Sequence, residues 1–451
     1  MANSSFLRLI ATLLVGWTVL HPASALETGT APTLPQYGQE AHLGVVTCAG
    51  STCHGATRPF KNAAIMQNEF VTWHQKDKHA KAYQVLLNKE SQRMARNLGL
   101  EAAHAAKVCL DCHADNVPEE RRGKRFQVSD GVGCEACHGG SERYLGPHAS
   151  GKNSRQQNLE AGMYPTEEPE TRALLCLSCH LGTKDKFATH RIMGAGHPRL
   201  SFELDTFTDI QPAHYKTDED YRKRKKVWTG VQVWAVGQLL AVEQSLDLLA
   251  SGKYPGTGPW PELAFYDCYA CHRSLRGRRW HPRQVSAGLG PGVVRLNDAS
   301  LIVFYHIARH VAPDAGERFR QGIRELHQAS LQGQAAVQAA AARLRELAGG
   351  LHTTVTQHAF SSADMKTMLG FIAAQAASGE YSDYGAAEQA AMAVSSIKSV
   401  LEQAGDLAAD EKTRLAGVLA KLYAELKDAD RYRPERFAGV LQALAAKPSG
   451  T

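Results

Sequence analysis

Apolar positions in the C-terminal part of the chain recur at helical spacing. Leu415, Val418, Leu419, Leu422 and Leu426 share one face, and Leu301 to Tyr305 and the alanine-rich run Ala335 to Ala348 show the same period. Ser361 to Asp364 reads as a helix start, and Gly349, Gly350 and Gly379 read as stops. From about Asn297 the pattern predicts five or six helices joined by short turns, with no cysteine among them. Val227 to Ala250 predicts a further amphipathic helix, but Gln232, Gln238, Glu243, Gln244 and Asp247 make it too polar to span a membrane. At the other end, Arg8 precedes an apolar run from Leu9 to Leu20 and a small-residue site at Ala23, Ser24 and Ala25. Residues 1–25 therefore read as a signal peptide cut before Leu26, because the apolar run is shorter than the roughly 20 residues a span needs. The expected destination is the periplasm, with no membrane span left after cleavage.

Composition narrows the class. The chain has 451 residues, 43% hydrophobic and 21% charged, which excludes collagen, disordered tails and coiled rods. Its length suggests two or three units.

The ten cysteines carry the chemistry. They stand at 48, 53, 109, 112, 134, 137, 176, 179, 268 and 271, five pairs with none left over, and each pair is followed by a histidine: His54, His113, His138, His180 and His272. With 20 histidines in 451 residues, five such coincidences arise by chance on the order of once in ten million. A disulfide framework explains paired cysteines in an oxidising compartment but gives no reason for the histidines. Zinc ribbons do not need a histidine directly after the second cysteine either. Covalent haem c needs both, since two thiols bond the vinyl groups of one porphyrin edge while the next residue turns its imidazole onto the iron. Four motifs have the CxxCH form, at Cys109, Cys112 and His113, at Cys134, Cys137 and His138, at Cys176, Cys179 and His180, and at Cys268, Cys271 and His272. The first, Cys48, Cys53 and His54, has four residues between its thiols. Gly50, Ser51 and Thr52 can loop out, so it too reads as a haem site; the alternative is a disulfide or free thiol pair beside a four-haem core.

Five covalently bound haem c groups between Cys48 and His272 leave about 45 residues each, too few for separate apolar cores. The haems themselves are then expected to be the core, packed closely enough to exchange electrons. The formal charge of +6 also loses its meaning as a nucleic-acid signal, because Arg8 leaves with the leader and about ten propionates are added. No nucleic-acid partner is expected. The expected fold is mainly α: a multihaem cytochrome domain over 48–290 with little regular structure around stacked haems, a lead-in over 26–47, and a C-terminal helical bundle over 291–451.

Thr72-Trp73, Lys78-His79-Ala80-Lys81-Ala82, the run Gly131-Val132-Gly133-Cys134-Glu135-Ala136-Cys137-His138-Gly139, and His148 ten residues on resemble the cytochrome c-554 family of multihaem cytochromes. That family is related to the group containing hydroxylamine oxidoreductase and octahaem tetrathionate reductase. The resemblance implies that His79 and His148 are distal haem ligands, His148 for the first haem and His79 for the third. His190 to Leu200 resembles a stretch of larger multihaem relatives and makes His190 and His197 further candidates, with propionate binding, shared by Arg199, as the alternative. Met193 is a weaker candidate ligand than either histidine beside it. Four distal histidines for five irons leave one unassigned. By the family pattern this is the iron of His113, either open or reached by His42, His74, His104, His214, His306 or His310.

An open iron allows chemistry, and a filled one conducts. The favoured function is a periplasmic pentahaem electron carrier with mostly bis-histidine haems, serving redox protein partners. The alternative is an oxidoreductase acting on a small nitrogen or sulfur species at one open haem. Arg222 to Lys226 would suit docking to an acidic redox partner or clamping propionates, and Trp228 and Trp234 are expected against porphyrin.

Overall fold

Short helices and turns carry the N-terminal half, while long helices carry the C-terminal half. The computed structural model describes residues 32–61, 65–253, 260–272, 283, 289–290 and 293–444, and those from Thr33 onward belong to one unit. The signal-peptide reading of 1–25 lies outside the described residues. The fold is mainly α, with 61% helix. Among the described residues the β pairing consists of two isolated bridges, His42 with Arg122 and Tyr266 with Leu296.

The helices used below are α1 (Glu69–Lys76), α2 (Lys89–Leu98), α3 (Pro169–His180), α4 (Leu204–Ile210), α5 (Gly230–Ser251), α6 (Ala299–Val311), α7 (Pro313–Ala329), α8 (Gln334–Gly349), α9 (His352–Gln357), α10 (Ser362–Ala377), α11 (Tyr384–Ala404), α12 (Ala409–Glu425) and α13 (Pro434–Gln442). After Asn297 the described residues thus form eight α-helices where periodicity predicted five or six. The extra ones come from breaks that periodicity does not register. Ala312 leaves the helical region at φ −153° and Pro313 restarts the chain as the first residue of α7. The Gly349 stop and the Ser361 start are observed, the latter as a reciprocal capping box with Asp364.

α5 joins the two halves. Thr229 and Gln232 cap its start reciprocally, and Gly252 ends it at φ 60°. It packs against α3 and α4 on one side and against α6, α8 and α11 on the other. Val231, Trp234, Leu239 and Leu246 are wholly buried in the same apolar cluster as Phe304 of α6 and Leu344 of α8, each worth roughly 1.5–3 kcal/mol of burial. Trp234 therefore packs within the helical core and not against porphyrin. Trp228 packs beside Leu177 and Leu204 and carries the Lys226 ammonium 3.4 Å above its ring.

The segment before α3 has little apolar core of its own. One small cluster, Leu86, Ala95 and Ala103, lies there, next to a cavity of about 2400 Å³.

Candidate functional site

Four of the five cysteine pairs sit on a helix that ends at, or one residue before, the motif histidine. Lys107–His113, Cys134–His138 and α3 finish on the motif histidine, and Cys268–Cys271 finishes one residue before it. The first motif reaches the same arrangement by another route. Cys48 closes a 3-10 turn, Cys53 and Gly55 donate to the Gly50 carbonyl, and the His54 N–H donates to the Cys48 carbonyl at 3.2 Å. His272 makes the equivalent bond to Cys268 at 2.7 Å. The two extra residues are absorbed in the Gly50–Thr52 loop, and the order cysteine, cysteine, histidine is presented as in the four regular motifs. All ten thiols are free of disulfides.

Every motif histidine faces a second imidazole. The ring centroids are 6.2 Å apart for His54 and His148, 6.2 Å for His79 and His180, 6.3 Å for His113 and His197, 6.2 Å for His138 and His214, and 6.0 Å for His190 and His272. A coordinating imidazole nitrogen lies about 2 Å from its metal and about 1 Å from its own ring centre, so two rings sharing one iron stand about 6 Å apart. All five pairs meet that spacing. Haem therefore fits these residues, with two thiols beside one member of each pair.

The eight histidines of the first four pairs named, and the eight cysteines of the first four motifs, line the 2400 Å³ cavity. That is well above the roughly 300–1,000 Å³ of a site for one small ligand. Neighbouring motifs meet within it, the Cys48 thiol lying beside that of Cys134 and the Cys112 thiol beside that of Cys179. His190 and His272 form a separate pair beside it, where the His190 N–H donates to Glu262 Oε1 at 2.7 Å.

The pairing departs from the expectations in two places. His148 faces His54 of the first motif. His79 faces His180 of the fourth motif instead of His138 of the third, because His214 takes the position opposite His138. The iron position at His113, expected to be the candidate open one, faces His197. His190 and His197 lie on either side of a helical turn and Gly196, whose φ of 125° redirects the chain, so they serve two different sites. His214 follows Pro212 in a segment with no helix or motif of its own, so only the fold could single it out from its six-member list.

Carboxylates and carbonyls orient several rings through Nδ1, leaving Nε2 for a metal. His79 bonds Asp77 at 2.9 Å and His54 bonds Glu69 at 2.9 Å. His113 bonds the Ala82 carbonyl at 3.1 Å, and His197 bonds the Pro198 carbonyl at 2.7 Å. The Asp77 and Glu69 hydrogen bonds push the His79 and His54 pKa values up. Burial pushes those of His113, His148 and His180 down, and that of His138 to about 3, which favours the neutral ring a metal needs.

The Glu135 of the third motif holds the scaffold. Its buried carboxylate accepts from the Leu43 and Gly44 N–H groups at 2.8 and 2.7 Å, and from Ser141 N–H and Oγ at 2.8 and 2.6 Å. Gly131 packs on the His79 carbonyl, 2.8 Å from where a Cβ would stand, and Val132 N–H donates to that carbonyl at 3.1 Å. The Gly-Val-Gly-Cys run thereby fixes His79. Glu135 lies inside the third motif, whereas Asp77 and Glu69 carry no signal of their role in the sequence.

Other candidates do different work. His42 is buried against Asp115 at 2.7 Å, and His104 bonds Gln92. His306 lies in the helical core, 3.3 Å from the Tyr381 hydroxyl, and His74 stacks on Phe70. Arg199 pairs with Glu388 of α11 and lies over the Tyr384 ring, tying the segment to the helical half. Within Arg222 to Lys226, Lys223 and Arg224 pair with Glu219 and Asp220 of their own turn. No helix among the described residues is long and apolar enough to cross a membrane.

Residues 47–139 match the family described as cytochrome c554 and c-prime. No curated protein and no solved structure matches the chain.

Proposed function

We propose that the chain, whose residues 47–139 match the cytochrome c554 family of covalent haem c electron carriers, is an exported pentahaem cytochrome whose five irons all have two histidine ligands. The observation that carries the reading is the set of five imidazole pairs at 6.0 to 6.3 Å, each with a motif cysteine pair beside it. Bound haem supplies a one-electron iron couple. Ligation by two neutral imidazoles favours low potential, lower than histidine with methionine.

The protein's part is to hold, orient and connect. Paired thiols would fix each porphyrin edge, and Nδ1–H groups donating to Asp77, Glu69 and the Ala82 and Pro198 carbonyls fix ring rotation and raise basicity. The anchors of the first and third motifs lie side by side, as do those of the second and fourth, which would bring neighbouring haem edges close together. The leader over residues 1–25 would deliver the chain to the periplasm, where redox protein partners would meet it. The oxidoreductase reading needs a free position on one iron, and His197 stands where the family pattern would leave it.

Low-temperature electron paramagnetic resonance of the oxidised holoprotein tests this. Five low-spin ferric haems and no high-spin signal are expected. One stoichiometric high-spin haem would overturn the fully bis-histidine reading and restore the oxidoreductase.

A further inference from the structure

The helical half contains a second grouping of metal-ligand side chains, remote in sequence from every cysteine motif. His310 lies in the last turn of α6, His358 follows α9, and Asp364 lies in the first turn of α10. Their ligand atoms all fall within 4.8 Å of one another. His310 Nε2 is 3.0 Å from Asp364 Oδ1, and His358 Nε2 is 3.6 Å from Asp364 Oδ2. The two imidazoles stand at 89° with centroids 6.0 Å apart.

A tetrahedral zinc ion with ligands at 2.0–2.1 Å requires donor atoms about 3.3 Å apart, and the two separations bracket that value. Simple hydrogen bonding accounts for only half of the cluster. The 3.6 Å separation is too long for a hydrogen bond, and His358 Nε2 is buried with no hydrogen-bond partner. A buried, unpaired imidazole nitrogen aimed at a carboxylate and a second imidazole is accounted for by a cation among the three.

The surroundings hold the ligands in place. Asp364 Oδ2 accepts from the Ser361 N–H and hydroxyl, both at 2.8 Å, which fixes the carboxylate and leaves Oδ1 turned to His310. Phe360 packs on the His358 ring at 4.6 Å, and the His358 carbonyl accepts from Gln232 of α5. Arg309, next to His310 in sequence, lies over the Phe371 ring at 3.9 Å.

We propose that His310, His358 and Asp364 bind one divalent zinc ion, clamping the ends of α6, α9 and α10 together and leaving a fourth position for water. Two imidazoles with one carboxylate suit zinc among the available first-row ions. The site does not depend on how the haems are ligated.

The test uses the full-length, haem-loaded protein, stripped with a chelator and titrated with zinc alone. Calorimetry and elemental analysis should give one zinc per chain with micromolar or tighter affinity. Asp364→Asn keeps an oxygen acceptor for the helix cap, so it should fold; it and His358→Gln should each weaken binding by at least about tenfold. Unchanged helical circular dichroism and haem absorbance identify folded variants. Absence of stoichiometric zinc in the wild type, or equal affinity in the wild type and both folded variants, would overturn the proposal.

Discussion

The ring of His197 stands 6.3 Å from that of His113 and at 84° to it, with its Nδ1 held by the Pro198 carbonyl at 2.7 Å. That places an oriented imidazole on the site that the family pattern would leave open. Replacing His197 with alanine should convert one of five haems from low to high spin, because a strong-field nitrogen is lost. The potential of that haem should rise by roughly 100 mV or more, within the ~0.8 V range that axial ligands control. Paramagnetic resonance and a redox titration read both changes, and an unchanged spin count would return His197 to a propionate contact.

His214 gives the complementary test. It faces His138 at 6.2 Å, and burial depresses the His138 pKa to about 3. Reduced wild-type protein should bind no carbon monoxide, since both axial positions of each iron are filled by imidazole. His214→Ala should bind it at one haem in five. Binding by the wild type at one site would mean that a histidine pair is open in solution.

What the sequence made legible divides along a physical line. The cysteines and their following histidines are fixed by covalent chemistry within a few residues, so they can be read directly. Capping and stop residues such as Ser361, Asp364 and Gly349 are likewise local, and they fell where periodicity put them. Distal ligands are supplied by tertiary approach. His79 and His148 were reachable through family motifs, but the partner of each was set by how the short helices pack, which moved His79 from the third motif to the fourth. His214 had no local pattern to mark it. Trp234 was misplaced because one amphipathic helix, α5, buries both faces, and periodicity alone does not say which neighbour meets which face.

Ring orientation makes a spectroscopic prediction. His54 and His148 are nearly parallel at 9° and His190 and His272 are at 36°, whereas the other three pairs lie between 84° and 88°. Parallel rings split the two iron d orbitals of π symmetry toward the axial ligands, dxz and dyz, and perpendicular rings leave them nearly degenerate. The oxidised spectrum should therefore contain rhombic low-spin signals and highly anisotropic low-spin signals in a ratio near two to three. A uniformly rhombic spectrum would contradict the ring geometry.

The first cysteine pair sets the stoichiometry. If the Gly50 to Thr52 loop presents Cys48, Cys53 and His54 as the regular motifs are presented, all ten thiols become thioethers. The mature mass should then exceed that of the polypeptide by about 3 kDa, at roughly 0.6 kDa per haem. Intact-mass spectrometry showing four haems and two alkylatable thiols at Cys48 and Cys53 would remove the first site.

The junction between the halves should respond to alkaline pH through His352. Its Nε2 lies 3.1 Å from Glu170 of α3 and its Nδ1 lies 3.9 Å from Glu243 of α5, so one imidazolium on α9 bridges the helix bearing the fourth motif to the central helix. The hydrogen bond to Glu170, with the Glu243 carboxylate on the other side of the ring, raises its pKa to about 10. In the unfolded chain the value is about 6.5. A base whose pKa is raised by folding contributes its full stability below the unfolded value and loses it as pH rises through the folded one. The window is therefore pH ~6.5 to ~10. With 35% of the side chain exposed, screening limits the contribution to about 1 kcal/mol or less. Urea unfolding of His352→Gln should show a lower midpoint than the wild type near pH 6, and the gap should close as pH approaches 10. Parallel curves across that range would mean that the bridge carries no charge-dependent stability.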